Sequence, residues 1–251
     1  MLREETVFGP IRSRRLGSSL GINLLPRNGK ICTFDCIYCE CGWNRDGRDD
    51  QVLPTAAQVR SALEDKLAEC LLDGTRIDSI TFSGDGEPTL NPEFPRIIDD
   101  TLKLRDAYFP SAKVSVLSNA TRVHVPEVAA ALKRVDNPIL KIDAPTDGLV
   151  ARINKPAPGY SLQRVLEALR GFHGAFVLQT MFLRSPDFDS SAPEVLDGWM
   201  DIVRELRPRK VMVYTIDRPT PQEGLRKFSA AEMKKLVQPL LDEGFDIDIK
   251  G

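Results

Sequence analysis

Two hydrophobic periods alternate along the chain, one of about 3.6 residues and one of two. Residues 20–25 form a short apolar run ended by Pro26. Thr55 then opens a helix with Gln58 as its capping-box partner. Val59, Leu63, Leu67, Cys70 and Leu71 follow at helical spacing, and Gly74 stops the helix. In residues 79–83, Ile80 and Phe82 alternate with polar side chains as a strand does. The exchange continues with helices expected around 95–107 and 126–134 and strands at 114–118 and 139–143. Ser161 caps a helix carrying Val165, Leu166, Leu169 and Phe172, and residues 175–181 are rich in β formers. Pro193 begins a helix with Leu196, Met200, Val203 and Leu206, followed by a strand over 210–216. Ser229 and Glu232 form a second capping box, for one helix with Met233, Leu236, Val237, Leu240 and Leu241 on a single face, and residues 245–249 form a closing strand.

Six or seven strands separated by helices imply βα units and a parallel sheet with right-handed crossovers. Such a sheet either opens into a doubly wound form or curls into a full or partial barrel. In both cases ligands bind at the carboxyl ends of the strands. The loop that follows the first strand, residues 32–41, belongs at that end. No repeat and no low-complexity linker interrupts the pattern, so residues 1–251 read as one α/β domain.

Composition narrows the class. With 42% hydrophobic and 28% charged residues the chain reads as soluble and globular, and no apolar run approaches the roughly 20 residues of a membrane span. The N-terminal residues lack the apolar stretch of a secretory signal, which leads to an expected cytoplasmic location. A net charge of −2 argues against a general nucleic-acid binder. Residues 1–30 nevertheless carry six basic groups against two acids, so residues 1–19 read as a basic arm that can steer an anionic substrate or simply be a solvated segment.

The chemistry concentrates in Cys32-x3-Cys36-x2-Cys39. Five cysteines, three of them crowded into one loop, fit a metal site better than a disulfide framework. Three thiolates can hold three corners of a [4Fe–4S] cluster and leave the fourth iron open to a small molecule. The alternative is a zinc site of Cys32, Cys36, Cys39 and Cys41. One intervening residue between Cys39 and Cys41 is tight for two ligands on a tetrahedral ion. Cys70, on an apolar helix face, reads as core.

With Tyr38 before the last cysteine, this motif resembles that of the radical S-adenosylmethionine superfamily. The resemblance extends to residues 83–89, where Gly84, Asp85, Gly86 and Glu87 stand at the end of the second strand in the place of the superfamily's methionine-binding motif. Asp85 interrupts the paired glycines of the usual pattern. Residues 9–17, 141–144, 152–156 and 215–219 are similar to small iron–sulfur oxidoreductases related to the radical enzymes of wybutosine synthesis in tRNA.

The resemblance implies a partial (β/α)6 barrel of parallel strands with a [4Fe–4S] cluster and S-adenosylmethionine as cofactors. One electron from the cluster would cleave the sulfonium to methionine and a 5′-deoxyadenosyl radical, which abstracts hydrogen from a substrate. The implied metal ligands are Cys32, Cys36 and Cys39. Glu87 would accept from the methionine ammonium, and Tyr38 would pack near the adenine. Ser118 and Asn119 would hydrogen-bond the ribose or carboxylate, or else cap the next helix. Lys141 and Asp143 share a strand face by period two. They would meet the methionine carboxylate and ammonium, or pair with each other. Gln179 and Met181 line the same pocket in this reading, or Met181 is simply core.

Arg12, Arg14 and Arg15 can bind a substrate phosphate or carboxylate, with an ordinary surface role as the alternative for them and for the polar residues that follow. Arg152, Asn154 and Lys155 form a second polar group in an expected loop after the fourth strand, and Tyr214 and Arg218 lie at or beyond a late strand. No single catalytic residue stands out, and His124 and His173 carry no motif. Without a second cysteine cluster or a flavodoxin-like reductase domain, electrons would come from a flavodoxin- or ferredoxin-type partner. The subgroup resemblance favours a modified nucleoside or tRNA base as substrate, while the acidic balance weighs against RNA. A peptide, a partner enzyme or a small metabolite are the other substrate classes. A non-catalytic zinc or iron–sulfur binding protein is the competing kind of molecule.

Overall fold

The computed structural model of the protein describes residues 4–13, 16–47 and 50–251. By internal packing the chain divides into two compact units. The first comprises Met1–Cys32, Asn44–Ser118 and Val125–Pro138, and the second Thr33–Trp43, Asn119–His124 and Ile139–Gly251.

In the first unit, β1 (Val7–Ser13) runs antiparallel to β2 (Gly17–Ile22), with Val7 opposite Ile22 and Ser13 opposite Gly17. Part of the segment read from its charge as a basic arm is thus a strand. Lys30, counted among the six basic groups of residues 1–30, is buried. Helix α1 (Ala56–Leu72) begins at Thr55 with the capping box to Gln58 in place. It is followed by β3 (Ser79–Phe82), α2 (Phe94–Tyr108), β4 (Lys113–Ser118) and α3 (Pro126–Leu132). β2 pairs parallel with β3, and β3 with β4.

Period-two alternation gives these strands two different buried faces. Leu20, Ile80, Phe82, Val114 and Val116 are fully buried, and Phe82 meets Phe94 of α2 edge-on at 6.3 Å. The opposite face carries small hydroxyls. Ser19 meets Thr81 at 2.8 Å and Ser79 meets Ser115 at 2.9 Å, while Asn137 Nδ2 donates to Ser115 Oγ at 3.0 Å. Each of these buried hydroxyls has at least one hydrogen-bond partner, so none is orphaned.

The second unit holds β5 (Asn137–Lys141) from Ile139 onward, α4 (Asp147–Ile153), α5 (Leu162–Arg170) and β6 (Val177–Met181). Two short strands follow, β7 (Leu183–Ser185) and β8 (Phe188–Asp189), then α6 (Pro193–Leu206) and β9 (Lys210–Tyr214). β10 (Arg226–Lys227), α7 (Ala230–Leu236), α8 (Gln238–Asp242) and β11 (Ile247–Lys250) complete it. β5–β6, β6–β9 and β9–β11 are parallel pairs, and β10, β7 and β8 form a small antiparallel sheet. Trp199 of α6 is buried, with its indole N–H donating to Thr180 Oγ1 at 2.9 Å.

Three elements depart from expectation. Of the residues read as a loop, Arg152 lies in the last turn of α4, whose N-cap Thr146 accepts from Leu149 N, while Asn154 is its C-cap and Lys155 follows it. The single amphipathic helix expected after Ser229 breaks at Val237, because Pro239 lacks the N–H an unbroken helix needs. The β7–β8–β10 sheet has strands of two or three residues, too short to show a period.

Candidate functional site

The cysteine loop turns tightly. Cys39 N donates to Cys36 O at 3.1 Å and Gly42 N to Cys39 O at 3.0 Å. Cys32, Cys36, Cys39 and Cys41 are all partly exposed, whereas Cys70 is buried in the core. In the second unit the loop is laid against the end of α4. Asp35 N donates to Asn154 O at 2.8 Å and Ile37 N to Ile153 O at 3.0 Å. That placement carries Asn154, the C-cap of α4, into the interior, where it is 1% exposed. Asn154 Nδ2 lies 2.7 Å from Asp143 Oδ2, 3.0 Å from the Tyr38 hydroxyl and 3.3 Å from Cys36 Sγ. Its two protons are shared among three acceptors. Sequence reading grouped Asn154 with Arg152 and Lys155 as loop residues facing a substrate. The structure separates them: Arg152 and Lys155 are exposed, and Asn154 is an internal tie.

Asp143 is the other node. Its Oδ1 accepts from Met181 N at 2.8 Å and stands 3.7 Å from Lys141 Nζ, and its Oδ2 also accepts the Tyr38 hydroxyl. Of the two readings of Lys141 and Asp143, the structure shows the pair with each other, with the carboxylate embedded among protein donors. Strand register puts the partners on one face, since Lys141 is level with Gln179, Gln179 with Met212, and Met181 with Tyr214. Lys141 Nζ reaches Tyr214 OH at 2.5 Å and lies 5.2 Å and 4.8 Å from the Tyr38 and Tyr214 ring centres. Both are cation–π distances.

These contacts set the proton affinities. Burial, then the Asp143 carboxylate, pushes the Cys36 thiol up to about 11, against the lowering pull of Lys141 and Asn154. Burial and Asp143 raise Tyr38 as well, so its phenol stays protonated and donates. Burial opposes the charge on Lys141, but Asp143, Tyr214 and Cys36 outweigh it and keep the ammonium charged.

In the first unit, residues 83–89 form a second polar node. Glu87 is 2% exposed. Its Oε1 accepts from Ser118 Oγ at 2.8 Å, Thr89 Oγ1 at 2.5 Å and Thr89 N at 3.1 Å. Asp85 is buried beside Asn23, whose Nδ2 donates to it at 3.3 Å and whose Oδ1 accepts Asp85 N at 3.2 Å. Glycine is required here by protein neighbours. A Cβ on Gly84 would lie 2.1 Å from Asn23 Oδ1, and one on Gly86, at φ +139°, would lie 1.9 Å from Ile31 O. The approach at Gly86 belongs to a short parallel bridge in which Ile31 N donates to Asp85 O and Glu87 N to Ile31 O. That bridge holds the residue preceding Cys32.

The remaining expected site residues are placed as follows. Asn119 of the second unit donates to Thr33 Oγ1 at 2.9 Å and accepts from Thr121 Oγ1 at 2.8 Å. Arg12 is exposed on β1, and Arg14 and Arg15 lie outside the described residues. Lys155 Nζ sits 4.5 Å from the Trp43 ring centre, and Arg218 pairs with Glu40 at 2.9 Å. Sequence reasoning missed the Asn154 tie, Thr33, Thr121 and Trp43. The local signal for the first was an asparagine just before Lys-Pro, a helix-ending position.

The donor set fits an iron–sulfur cluster and its nucleotide partner. Three soft thiols lie in one loop, one of them already accepting a hydrogen bond as a metal thiolate does. Gln179, 4% exposed on the Lys141 face, has a buried Nε2 with no hydrogen-bond partner. A buried amide donor left unpaired costs roughly 1–3 kcal/mol, which a ligand acceptor would recover. Among the described residues, no three histidine, cysteine, aspartate or glutamate side chains are grouped to hold a single metal ion. No helix there is long and apolar enough to cross a membrane.

Comparison with known proteins agrees with this reading. The Radical SAM superfamily profile matches residues 29–197. The chain is 30% identical over 240 residues to a protein named GTPase Obg from Brachyspira hyodysenteriae, covering 93% of this chain but only 33% of that protein. It is 29% identical to a UPF0026 protein of Helicobacter pylori strain J99, covering 94% of this chain and 81% of the relative. It is 30% identical to a UPF0026 protein of Synechocystis, covering 86% and 77%. Among solved structures, Streptococcus suis SuiB bound to S-adenosylmethionine aligns with a TM-score of 0.65 at 15% identity, over 89% of this chain and 49% of SuiB. A radical SAM methyltransferase from Sphaerobacter thermophilus aligns at 0.68 and 16%, over 92% and 65%. The chain thus spans a third of the first relative and about half of SuiB. The structural likeness shows the fold, an α/β partial barrel of mostly parallel strands, which the superfamily resemblance implied and the βα pattern alone left open against a doubly wound sheet. The cofactors of the matched superfamily are a [4Fe–4S] cluster and S-adenosylmethionine, and the chain belongs to the Radical SAM superfamily.

Proposed function

We propose that the protein is a radical S-adenosylmethionine enzyme acting on a modified nucleoside or tRNA base, with Cys32, Cys36 and Cys39 as its cluster ligands. The observation that carries this reading is the Asn154 tie, which links the Cys36 sulfur to Tyr38 and Asp143, the carboxylate that pairs with Lys141. When bound, the reduced cluster supplies one electron that cleaves S-adenosylmethionine to methionine and a 5′-deoxyadenosyl radical able to abstract a hydrogen atom. The chain's own residues hold and orient. Asn154 donates toward the Cys36 sulfur and limits the charge that builds there. Lys141 presents a buried ammonium to a carboxylate. Gln179 offers its unpaired amide N–H to an acceptor of the nucleotide. Tyr38 and Met181 give apolar contact, with the Tyr38 ring fixed through its hydroxyl on Asp143. Glu87 and Ser118 hold the 83–89 turn, leaving Gly84, Asp85 and Gly86 to shape its backbone. Asn119 holds the loop at Thr33. In the second unit, exposed Arg152, Lys155 and Arg218, with Tyr214 beside Lys141, suit an anionic substrate, Arg218 being shared with Glu40; in the first unit, Arg12 is exposed for the same kind of contact. Electrons come from a flavodoxin- or ferredoxin-type donor.

The test is anaerobic reconstitution with iron and sulfide, then addition of S-adenosylmethionine and a strong reductant. About four irons per chain and release of 5′-deoxyadenosine are expected. Stoichiometric zinc with no cleavage would instead identify a binding protein. For the substrate, salt-sensitive retention of total small RNA is expected, and its absence counts against tRNA.

A further inference from the structure

A cavity of about 190 Å³ lies within the second unit, walled by the 119–124 loop, the segment after α4 and the start of α5. Arg122, His124 and Arg164 line it together with Thr33, Tyr160 and Ser161, and no aspartate or glutamate is among the described lining residues. The Nε of Arg122 is buried and has no hydrogen-bond partner. Several other arginines here are matched to acids, as Arg105 is to Asp136 at 2.8 Å and Arg170 to Glu205 at 2.6 Å. Two arginines thus line one cavity with no carboxylate among its described lining residues to balance their charge, and a buried N–H without an acceptor adds a cost. An oxyanion relieves both, and the planar guanidinium fork matches a tetrahedral phosphate in two-point contact.

The hydroxyls agree with this. Thr33 and Thr121 are held 2.7 Å apart at the wall. Tyr160, packed edge-on against Phe34 at 5.4 Å, has its phenol pushed up by burial and then by Asp147 and Asp143, and so remains a donor. Two N–H groups at the start of α5 are already taken: Asp147 Oδ1 accepts Leu162 N at 2.7 Å and Ser161 Oγ accepts Arg164 N at 3.4 Å. Side chains rather than the helix backbone therefore supply the positive character.

We propose that this cavity binds the phosphate group of a phosphate ester, with Arg122 and Arg164 as its principal donors. The proposal rests on the nucleoside reading only for what the phosphate is attached to. Its test uses the full, cluster-loaded chain without reductant, so it is independent of radical chemistry. Inorganic phosphate, uridine 5′-monophosphate and uridine are titrated in turn by calorimetry. Saturable binding of both phosphates is expected, with uridine failing to displace them. Tighter binding of the monophosphate identifies the ester as occupant, and equal affinity keeps the phosphate site while naming free phosphate. Arg164→Glu, at an exposed position, is expected to weaken phosphate binding at least about tenfold. Arg122→Lys, which keeps the charge but loses the fork, is expected to weaken it several-fold with an unchanged thermal midpoint. S-adenosylmethionine affinity should be unaltered in both. The proposal is overturned by non-saturating phosphate titrations, by variants that bind as the parent does, or by S-adenosylmethionine affinity falling in step with phosphate affinity. Failure of 5′-deoxyadenosine release leaves this result standing, and the reverse also holds.

Discussion

Asn154 and Cys36 are separated by 118 residues in sequence, yet Nδ2 of one lies 3.3 Å from Sγ of the other. The same amide donates to Asp143, a fully buried carboxylate. Hydrogen bonds to cluster sulfurs stabilise the reduced, more negative state and so raise the reduction potential. Asn154→Ala is expected to shift the potential of the reconstituted cluster to a more negative value, read by EPR-monitored redox titration. An unchanged potential would remove Asn154 from the cluster's surroundings. The variant also leaves Asp143 one donor short, which should cost about 1–3 kcal/mol in chemical denaturation.

Tyr38 tests the same node from its other side. Tyr38→Phe keeps the ring beside Lys141 but removes the hydroxyl that donates to Asp143. Asp143 retains Asn154 and Met181 N as donors, so a loss of about 1–2 kcal/mol is expected, smaller than for Asn154→Ala. A double variant losing less than the sum of the two would show that they share one carboxylate. Strict additivity would show that they act apart.

What was legible in advance followed from how local each signal is. Both capping boxes lie within four residues of chain and were readable from Thr55 with Gln58 and Ser229 with Glu232. Lys141 and Asp143 could be placed on one face by period two alone. Asn154 could not be placed, because its burial depends on α4 docking against residues 35–37 far back in the chain. α4 has seven residues, including Gly148, and is too short to show a helical face. The charge of the N-terminal segment concealed β1, since pairing with β2 is a long-range property that charge does not report. Gly84 and Gly86 were placed in a ligand-binding motif by resemblance, whereas the groups that crowd them in the structure are Asn23 and Ile31.

Gly86 supplies a steric prediction. Its φ of +139° is open to glycine alone, and any Cβ would overlap Ile31 O at 1.9 Å. Gly86→Ala must break the bridge that pairs Ile31 with residues 85–87, the segment leading into Cys32. A loss of more than about 3 kcal/mol is expected, with loss of iron retention in whatever protein stays folded. Gly148→Ala, where nothing lies within 4 Å of the added carbon, should be neutral or slightly stabilising in the same assay.

Asp136 predicts how stability follows pH. Partial burial alone would raise its pKa, but the Val114 N–H at 2.9 Å, the Arg105 guanidinium at 2.8 Å and Lys113 at 3.4 Å outweigh that and hold it below the ordinary carboxylate value. A depressed folded pKa means that the unfolded chain takes up the proton first as the pH falls. The contribution is therefore fully present above the unfolded value near 4. It declines as the pH drops through the window between the unfolded and folded values, and it is absent below both. Asp136→Asn removes the charge while keeping an acceptor for Val114 N. At neutral pH it should cost about 1–2 kcal/mol, the scale of a partly screened charge-assisted contact. In acid the variant and the parent should converge, so their denaturation midpoints plotted against pH should meet below the folded pKa. Parallel curves across the whole acid range would show that the Arg105–Asp136 contact contributes no charge-dependent stability.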